Sequence, residues 1–464
     1  MKKIMIFAAA TLLMSSCGLY NKYERPDKVD TEGLIRDAFS DRDTLAVQDT
    51  ASFGNLPWRS VFTDPQLQAL IEQGLQKNAD LQNAALTVNM YEAMLKAAKL
   101  AFLPAVQIGS ASQPMGSISK LFTDPAVTTK AYSIPVTASW TLDLFGNILS
   151  QKRSVQMQML GMKDYQMAVR AQVVSGIANS YYTLLMLDKQ LAIVTEMGQM
   201  AKETWEMMQM QYQLGRVRST NVQSAQAAYL STQTQANEFR RQIRATENAL
   251  SLLVGQAGQQ IGRSTLDAQT LPSEFATGVG VALLKNRPDV HRAEMELASC
   301  FHDVQTARSK FYPSITIGGS MAFTNSSGAM NPGKWLGTLF GSLTQPVFNR
   351  GALTANLKVS KMQYEQAFNT WQKAIYTAGN EVSNALVNYS QYDANAKLEA
   401  QRVEILTKNV EDTKALYKSS GSTYLEVLTA QTQLLSAQIN KVTDDFNKMQ
   451  AVVSLYTALG GGGK

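Results

Sequence analysis

The chain has 464 residues, with 43 Lys and Arg against 37 Asp and Glu, for a formal net charge of +6. That excess is too mild to point to nucleic acid. With two histidines and two cysteines, His291, His302, Cys17 and Cys300, there is little material for a metal centre or a histidine-based catalyst, and no catalytic, metal or cofactor site is expected.

In chain order, Met1-Lys2-Lys3 and the apolar run Ile4 to Leu13 read as a secretory signal, since ten residues are too few to cross a bilayer as a helix. Met14-Ser15-Ser16-Cys17-Gly18 then resembles a bacterial lipoprotein cleavage box. Residues 1–16 are therefore expected to be removed and Cys17 to become the acylated first residue, carrying palmitate-type lipid, with 17–63 as an N-terminal extension. Cys300 would then be left without a disulfide partner. No later stretch reaches the roughly 18 uninterrupted apolar residues of a transmembrane helix.

Beyond the extension, one layout occurs twice. An Asp, a helical stretch, a Pro and a strand recur as Asp80 with Pro104 and as Asp289 with Pro313. Ser139-Trp140-Thr141 is echoed by Ser342-Leu343-Thr344, and Val222 to Gln226 by Val427 to Gln431. Each copy runs from Leu-rich helix into glycine, at Gly255 and at Gly460. Such self-similarity marks one duplicated unit, with repeats expected over 64–270 and 271–464.

Proline, which breaks helix interiors, is absent from Val136 to Leu271 and from Val347 onward. Those tracts are rich in good helix formers. They predict one helical hairpin over 147–254, turning at Tyr212 to Gly215, and a second over 350–459. A helix from Asn147 to Leu214 would measure roughly 100 Å. A first helix should start at Asp64 as N-cap with Pro65 behind it, and another should run from Val281 to Phe311. Their lengths suggest that the 219–254 helix stacks end to end on 281–311. In the second repeat the missing segment would come from the chain's first helix, with the C-terminus near that helix's start. Gly460 to Gly463 reads as a frayed tail.

Four short segments alternate with period two: Val106 to Ser112, Tyr132 to Leu144, Ile315 to Phe323 and Trp335 to Val347. In the second, Tyr132, Ile134, Val136, Ala138, Trp140, Leu142 and Leu144 share one face, and Ser and Thr take most of the other. Four strands cannot close a pore, and an open sheet edge cannot face lipid. Three chains would supply twelve strands, an acceptable number for a membrane barrel.

Several motifs carry a family resemblance. Leu56-Pro57-Trp58-Arg59 before Asp64-Pro65, Leu75 to Asp80, Leu271-Pro272, Leu283 to Glu294 with its Arg287-Pro288-Asp289 core, and Phe311 to Ile315 resemble the TolC-type outer membrane factors. Within that family the lipoprotein (NodT-type) efflux subgroup is the nearest in pattern. The resemblance covers nearly the whole chain after Cys17. It implies a homotrimer with a twelve-stranded barrel in outer-membrane lipid and a helical barrel in the periplasm. It also implies docking to a periplasmic adaptor and an inner-membrane pump of the resistance-nodulation-division type, with efflux of small molecules as the function. A type I protein-secretion duct and an envelope-spanning structural lipoprotein are the alternatives, though a spacer should show strict heptads without amphipathic strands.

The resemblance also implies where the periplasmic end works. The turns Gly215, Arg216, Arg218 and Gly421, Ser422, Thr423 are expected to meet the adaptor, and Thr220, Asn221, Glu426 and Thr429 to narrow the pore. Asn221 and Thr429 are uncharged where the TolC pattern has acids, which puts an inter-subunit salt-bridge lock in doubt. Arg216 and Arg218 are the alternative partners for Glu426 of a neighbouring hairpin.

Overall fold

Asp64 starts the helical body as its chemistry dictates. Its carboxylate accepts from the Gln66 backbone N–H at 2.9 Å, and Pro65 occupies the first helical position, where its missing N–H costs nothing. The structure, a computed structural model, describes residues 21–26, 53–108, 111–112, 132–270, 272, 287–325, 335–346, 349–419 and 423–463. Its elements are α1 (Trp58–Val61), α2 (Pro65–Lys77), α3 (Ala79–Leu100), β1 (Ala105–Ile108), β2 (Ala111–Ser112), β3 (Tyr132–Leu142), α4 (Asn147–Gln213) and α5 (Ser219–Leu253). The second half adds α6 (Pro288–Ser309), β4 (Ser314–Asn325), β5 (Trp335–Thr344), α7 (Ala352–Lys418) and α8 (Tyr424–Ala458).

The two proline-free tracts carry two pairs of helices of 67 and 35 residues each. The first helix is interrupted at Asn78, whose side-chain oxygen accepts from Leu81 N–H at 3.0 Å and so restarts the chain as α3. Of the helix expected from Val281, the described part is α6, and residues 281–286 lie outside the described residues. Among the described residues, no helix is long and apolar enough to cross a membrane.

The strands form one antiparallel sheet in the order β1–β3–β4–β5, with β2 also on β3. Ala105↔Ser139 and Ser112↔Tyr132 belong to one unbroken register, so β1 and β2 are two parts of a single strand line and the sheet has four lines. Opposite residues share a face. One face thus collects Val106, Ile108, Val136, Ala138, Trp140, Leu142, Ile315, Ile317, Met321, Leu339 and Leu343, and the other Gln107, Thr137, Ser139, Thr141, Thr316, Ser320 and Ser342. Phe340 is a large apolar residue on the polar face. Its ring lies over Gly318, where a Cβ would come within 2.6 Å of it. Trp140 uses its indole N–H to satisfy the Phe102 carbonyl, 2.9 Å away, just past the end of α3. The side chain of Tyr132, which the alternation puts on the same face eight residues away, lies outside the described residues.

The chain divides into two compact units. One comprises Met1–Val29, Thr87–Lys163 and Arg292–Gln372. Within it α4 touches α3 through Lys163–Glu92 (3.0 Å) and α6 through Ser154–Ser299 (3.0 Å), and α6 touches α7 through Phe301 and Tyr364. The other comprises Asp30–Leu86, Asp164–His291 and Lys373–Lys464. There Gly198 on α4 packs at Thr232 of α5, Gln190 bonds Thr443 of α8 at 3.1 Å, and Lys448 of α8 pairs with Asp393 of α7. Each unit therefore lays its helices in one order, with α3 or α5 and α7 outermost and α4 inside. Large exposed apolar side chains follow that order: Leu86, Met90 and Met94 on α3, Leu230 and Leu252 on α5, and Val359, Met362, Leu398 and Ile405 on α7.

Two junctions correct the expected stacking. Asn78 Nδ2 donates to the carbonyl of Leu253, the last residue of α5, at 2.9 Å, and Arg287 donates to the carbonyl of Ala458, the last residue of α8, also at 2.9 Å. The end of α5 therefore meets the start of α3, not of α6, and the end of α8 meets the start of α6. The expected approach of the C-terminus to residues near Asp64 does occur, since Tyr456 donates to the Leu56 carbonyl (2.7 Å) and packs edge-on against Phe62. Both helix ends close alike. Gly255 and Gly460 have φ of +71° and +85°, and each is followed by a backbone N–H that reaches five residues back, from Gln256 to Ser251 and from Gly461 to Tyr456.

The glycine tail is not frayed. Gly461, Gly462 and Gly463 are buried against Tyr456, Ala171, Met167 and Pro288. A run of glycines suits this path because side chains would collide with the surrounding helices.

Candidate functional site at the hairpin turns

The α4–α5 turn is built by Gly215. Its φ of +67° is a left-handed conformation that glycine adopts without strain. Gly215 N–H donates to the Tyr212 carbonyl and Arg216 N–H to the Gln211 carbonyl, both at 2.9 Å, satisfying the end of α4. Nothing lies within 4 Å of a Cβ at this glycine, so backbone conformation alone restricts it. Arg216 and Arg218 are exposed. Arg218 occupies the N-cap of α5 without a side-chain cap bond, and no acid stands in that helix's first turn. Thr220 is exposed and Asn221 half-buried. The first turn is consequently basic and keeps its helix N-terminus open.

The α7–α8 turn is built differently. Thr423 is the N-cap of α8; its hydroxyl accepts from Glu426 N–H at 3.4 Å, while the Glu426 carboxylate accepts from Thr423 N–H at 3.2 Å. This reciprocal cap places an acid at the helix N-terminus, where the dipole favours it. Glu426 therefore has a structural task in its own hairpin, which the sequence reading did not assign, although Thr-Tyr-Leu-Glu spells the motif. Thr429 Oγ1 donates to the Leu425 carbonyl at 2.7 Å. Gly421 and Ser422 lie outside the described residues.

A small core joins the two turns. Met208, Ala225 and Tyr424 are buried and packed by Trp205, Val217, Val222, Tyr417 and Leu428. Tyr417 donates to Gln211 Oε1 at 2.9 Å, tying α7 to α4, whereas Tyr212, the tyrosine ahead of the first turn, is half exposed. Around this core Met210, Tyr212, Leu214, Leu416 and Leu425 remain exposed, forming an apolar collar.

The residues that elsewhere suggest chemistry serve packing. His291 Nδ1 lies 2.6 Å from buried Asp164, and burial, reinforced by Arg153, pushes His302 down to about 4, keeping it neutral. Burial raises Cys300 to about 11, so it stays a thiol. Among the described residues no group of His, Cys, Asp and Glu is arranged to hold a metal.

A family model described as outer membrane efflux protein matches residues 70–256 and 279–461. The cation efflux system protein CusC of Escherichia coli strain K12 is 27% identical over 463 residues, covering 99% of this chain and 99% of CusC. The probable outer membrane lipoprotein SilC of Salmonella typhimurium is 24% identical, over 99% of this chain and 98% of SilC. A solved structure of CusC superposes with a TM-score of 0.84 at 24% identity, covering 95% of this chain and 99% of that one.

Proposed function

The chain belongs to the outer membrane efflux protein family, and from that premise we propose that three copies assemble into the exit duct of a tripartite efflux system, passing small toxic molecules outward. The observation that carries this reading is the pair of open edges. One chain holds four strand lines with unpaired outer strands among the described residues, and away from the hairpin turns the large exposed apolar residues of each helical unit gather on the outermost helices. Closing the sheet with two further copies gives twelve strands, removes the edges, and sets apolar faces to lipid and polar faces to a water-filled lumen. The same operation covers the exposed apolar positions of α3, α5 and α7.

The duplicated unit is part of the proposal. The matching bonds of Asn78 to Leu253 and of Arg287 to Ala458 support repeats meeting near residue 270. The chain starts with a secretory signal, and Cys17, outside the described residues, carries the lipid. The relative SilC is itself named a probable lipoprotein.

The basic first turn, the acidic second turn and the apolar collar dock a periplasmic adaptor that links the duct to a resistance-nodulation-division pump. Thr220, Asn221, Glu426 and Thr429 stand just beyond these turns and set the narrowest part of the path, with Arg216 and Arg218 facing Glu426 of the next copy. Two variants test the turns. Gly215→Val forces a β-branched residue into a left-handed conformation, a strain of about 1–2 kcal/mol confined to the turn, so tagged protein should still reach the membrane and lose the copurifying adaptor and pump. Glu426→Ala should raise single-channel conductance or weaken cation preference in planar bilayers. Full adaptor recovery with the first variant and unchanged conductance with the second would remove docking and gate from these residues.

A further inference from the structure

The Arg287-Pro288-Asp289 block continues to Glu294 on α6, an acid that neither the turns nor the helix-end junctions use. Glu294 is 5% exposed. A carboxylate this buried needs a compensating partner, and a cation reaches it from the far N-terminal end of the described chain. Arg25 grips it as a fork, Nε donating to Oε1 at 2.6 Å and a second guanidinium nitrogen to Oε2. Two residues earlier the Tyr23 ring meets Phe301, one helical face along α6, edge-on at 5.9 Å, and Phe301 leans in turn on Tyr364 of α7. The Tyr23 hydroxyl is buried without a hydrogen-bond partner, so this residue holds by its ring.

We propose that residues 21–26 are a strap that fastens the N-terminal lipid to α6, with Arg25 and Tyr23 as its positioning residues and the outer-membrane lipid surface as its partner. The proposal rests on the reading that Cys17 is acylated. Five residues lie between Cys17 and Tyr23, and the six steps of an extended chain span at most about 20 Å. With the strap docked, the acyl chains must enter the bilayer within that radius of the Tyr23 contact. One lipid signal alone holds a protein only modestly. Fixed to the helix, it acts on this body at high local concentration instead of through a loose tether.

The test places the photoreactive amino acid p-benzoylphenylalanine at position 23 of the full-length protein in membranes and maps the cross-links by mass spectrometry. Attachment to α6 or α7 near Phe301 or Tyr364 is expected. Arg25→Glu should lower the yield about tenfold or more, as should Glu294→Arg, and the double reversal should restore most of it. Unchanged yield with Arg25→Glu, or no rescue by the reversal, overturns the strap. Cys17→Ala separates the two readings: it should abolish labelling by a fatty-acid analogue while leaving the cross-link in place. Equal label on wild type and Cys17→Ala overturns the anchoring role, whatever the cross-link does.

Discussion

Arg287→Ala is expected to destabilise the folded chain by about 3 kcal/mol, among the largest effects of any single polar change. Arg287 is 6% exposed, and its guanidinium serves three elements. It binds both oxygens of Asp289 (2.9 and 2.7 Å), one oxygen of Glu381 on α7 (2.6 Å) and the carbonyl that ends α8. Truncation leaves that carbonyl and two acids without their common donor. Arg287→Lys keeps the charge but not the planar fork, and should recover no more than about half of the loss. Burial opposes the ionised form of Asp289, yet Arg287 outweighs it and holds the carboxyl below the usual range. The contribution from Asp289 is therefore complete above its unfolded pKa and is lost as the pH falls through the lowered folded value. Thermal melting of the purified protein at neutral and acid pH reads both effects; a loss under about 0.5 kcal/mol at neutral pH would contradict the junction's importance.

Gly461→Ala is expected to cost about 1–3 kcal/mol by overpacking, and Gly461→Val more. A Cβ there would lie 2.3 Å from Tyr456 Cε2 and 2.5 Å from Cδ2, and the backbone has no positive φ to blame. Tyr456 cannot swing aside freely. It is 1% exposed, hydrogen-bonded to Leu56 and flanked edge-on by Phe53 and Phe62. Gly215→Ala provides the contrast, since open space surrounds that site and the strain should stay local. Chemical denaturation compares the two; equal and small shifts would show that the tail yields to a methyl group.

Much of this architecture could be read from residue order because its signals are local. Proline exclusion marked the two tracts that hold the long helices, and period-two alternation found the four strand lines of the described residues. The stacking was not legible, for a specific reason. α3 and α6 both have 22 residues, and α5 and α8 both have 35, so length fits either pairing equally. The amide of Asn78 on Leu253 and the guanidinium of Arg287 on Ala458 separate the two arrangements, and both are contacts between residues more than 170 positions apart. The glycine tail misled because glycines in sequence suggest freedom, while here they mark space too narrow for side chains. At the turns, Gly215 was legible as a helix stop. The inward Tyr417 and the outward Tyr212 were not, because a tyrosine stands just ahead of the turn glycine in both hairpins, three residues before Gly215 and four before Gly421, and tertiary packing alone divides them. Glu426 lay in a readable capping box whose local role was overshadowed by its position near the tip.

The most direct measurement of the whole account is the mass of the detergent-purified particle by native mass spectrometry. The open strand lines and the apolar outer helices predict a single species of three chains, stable without adaptor or pump, because only closure removes the edges. A stable single-chain particle that still inserts into bilayers and conducts would contradict it.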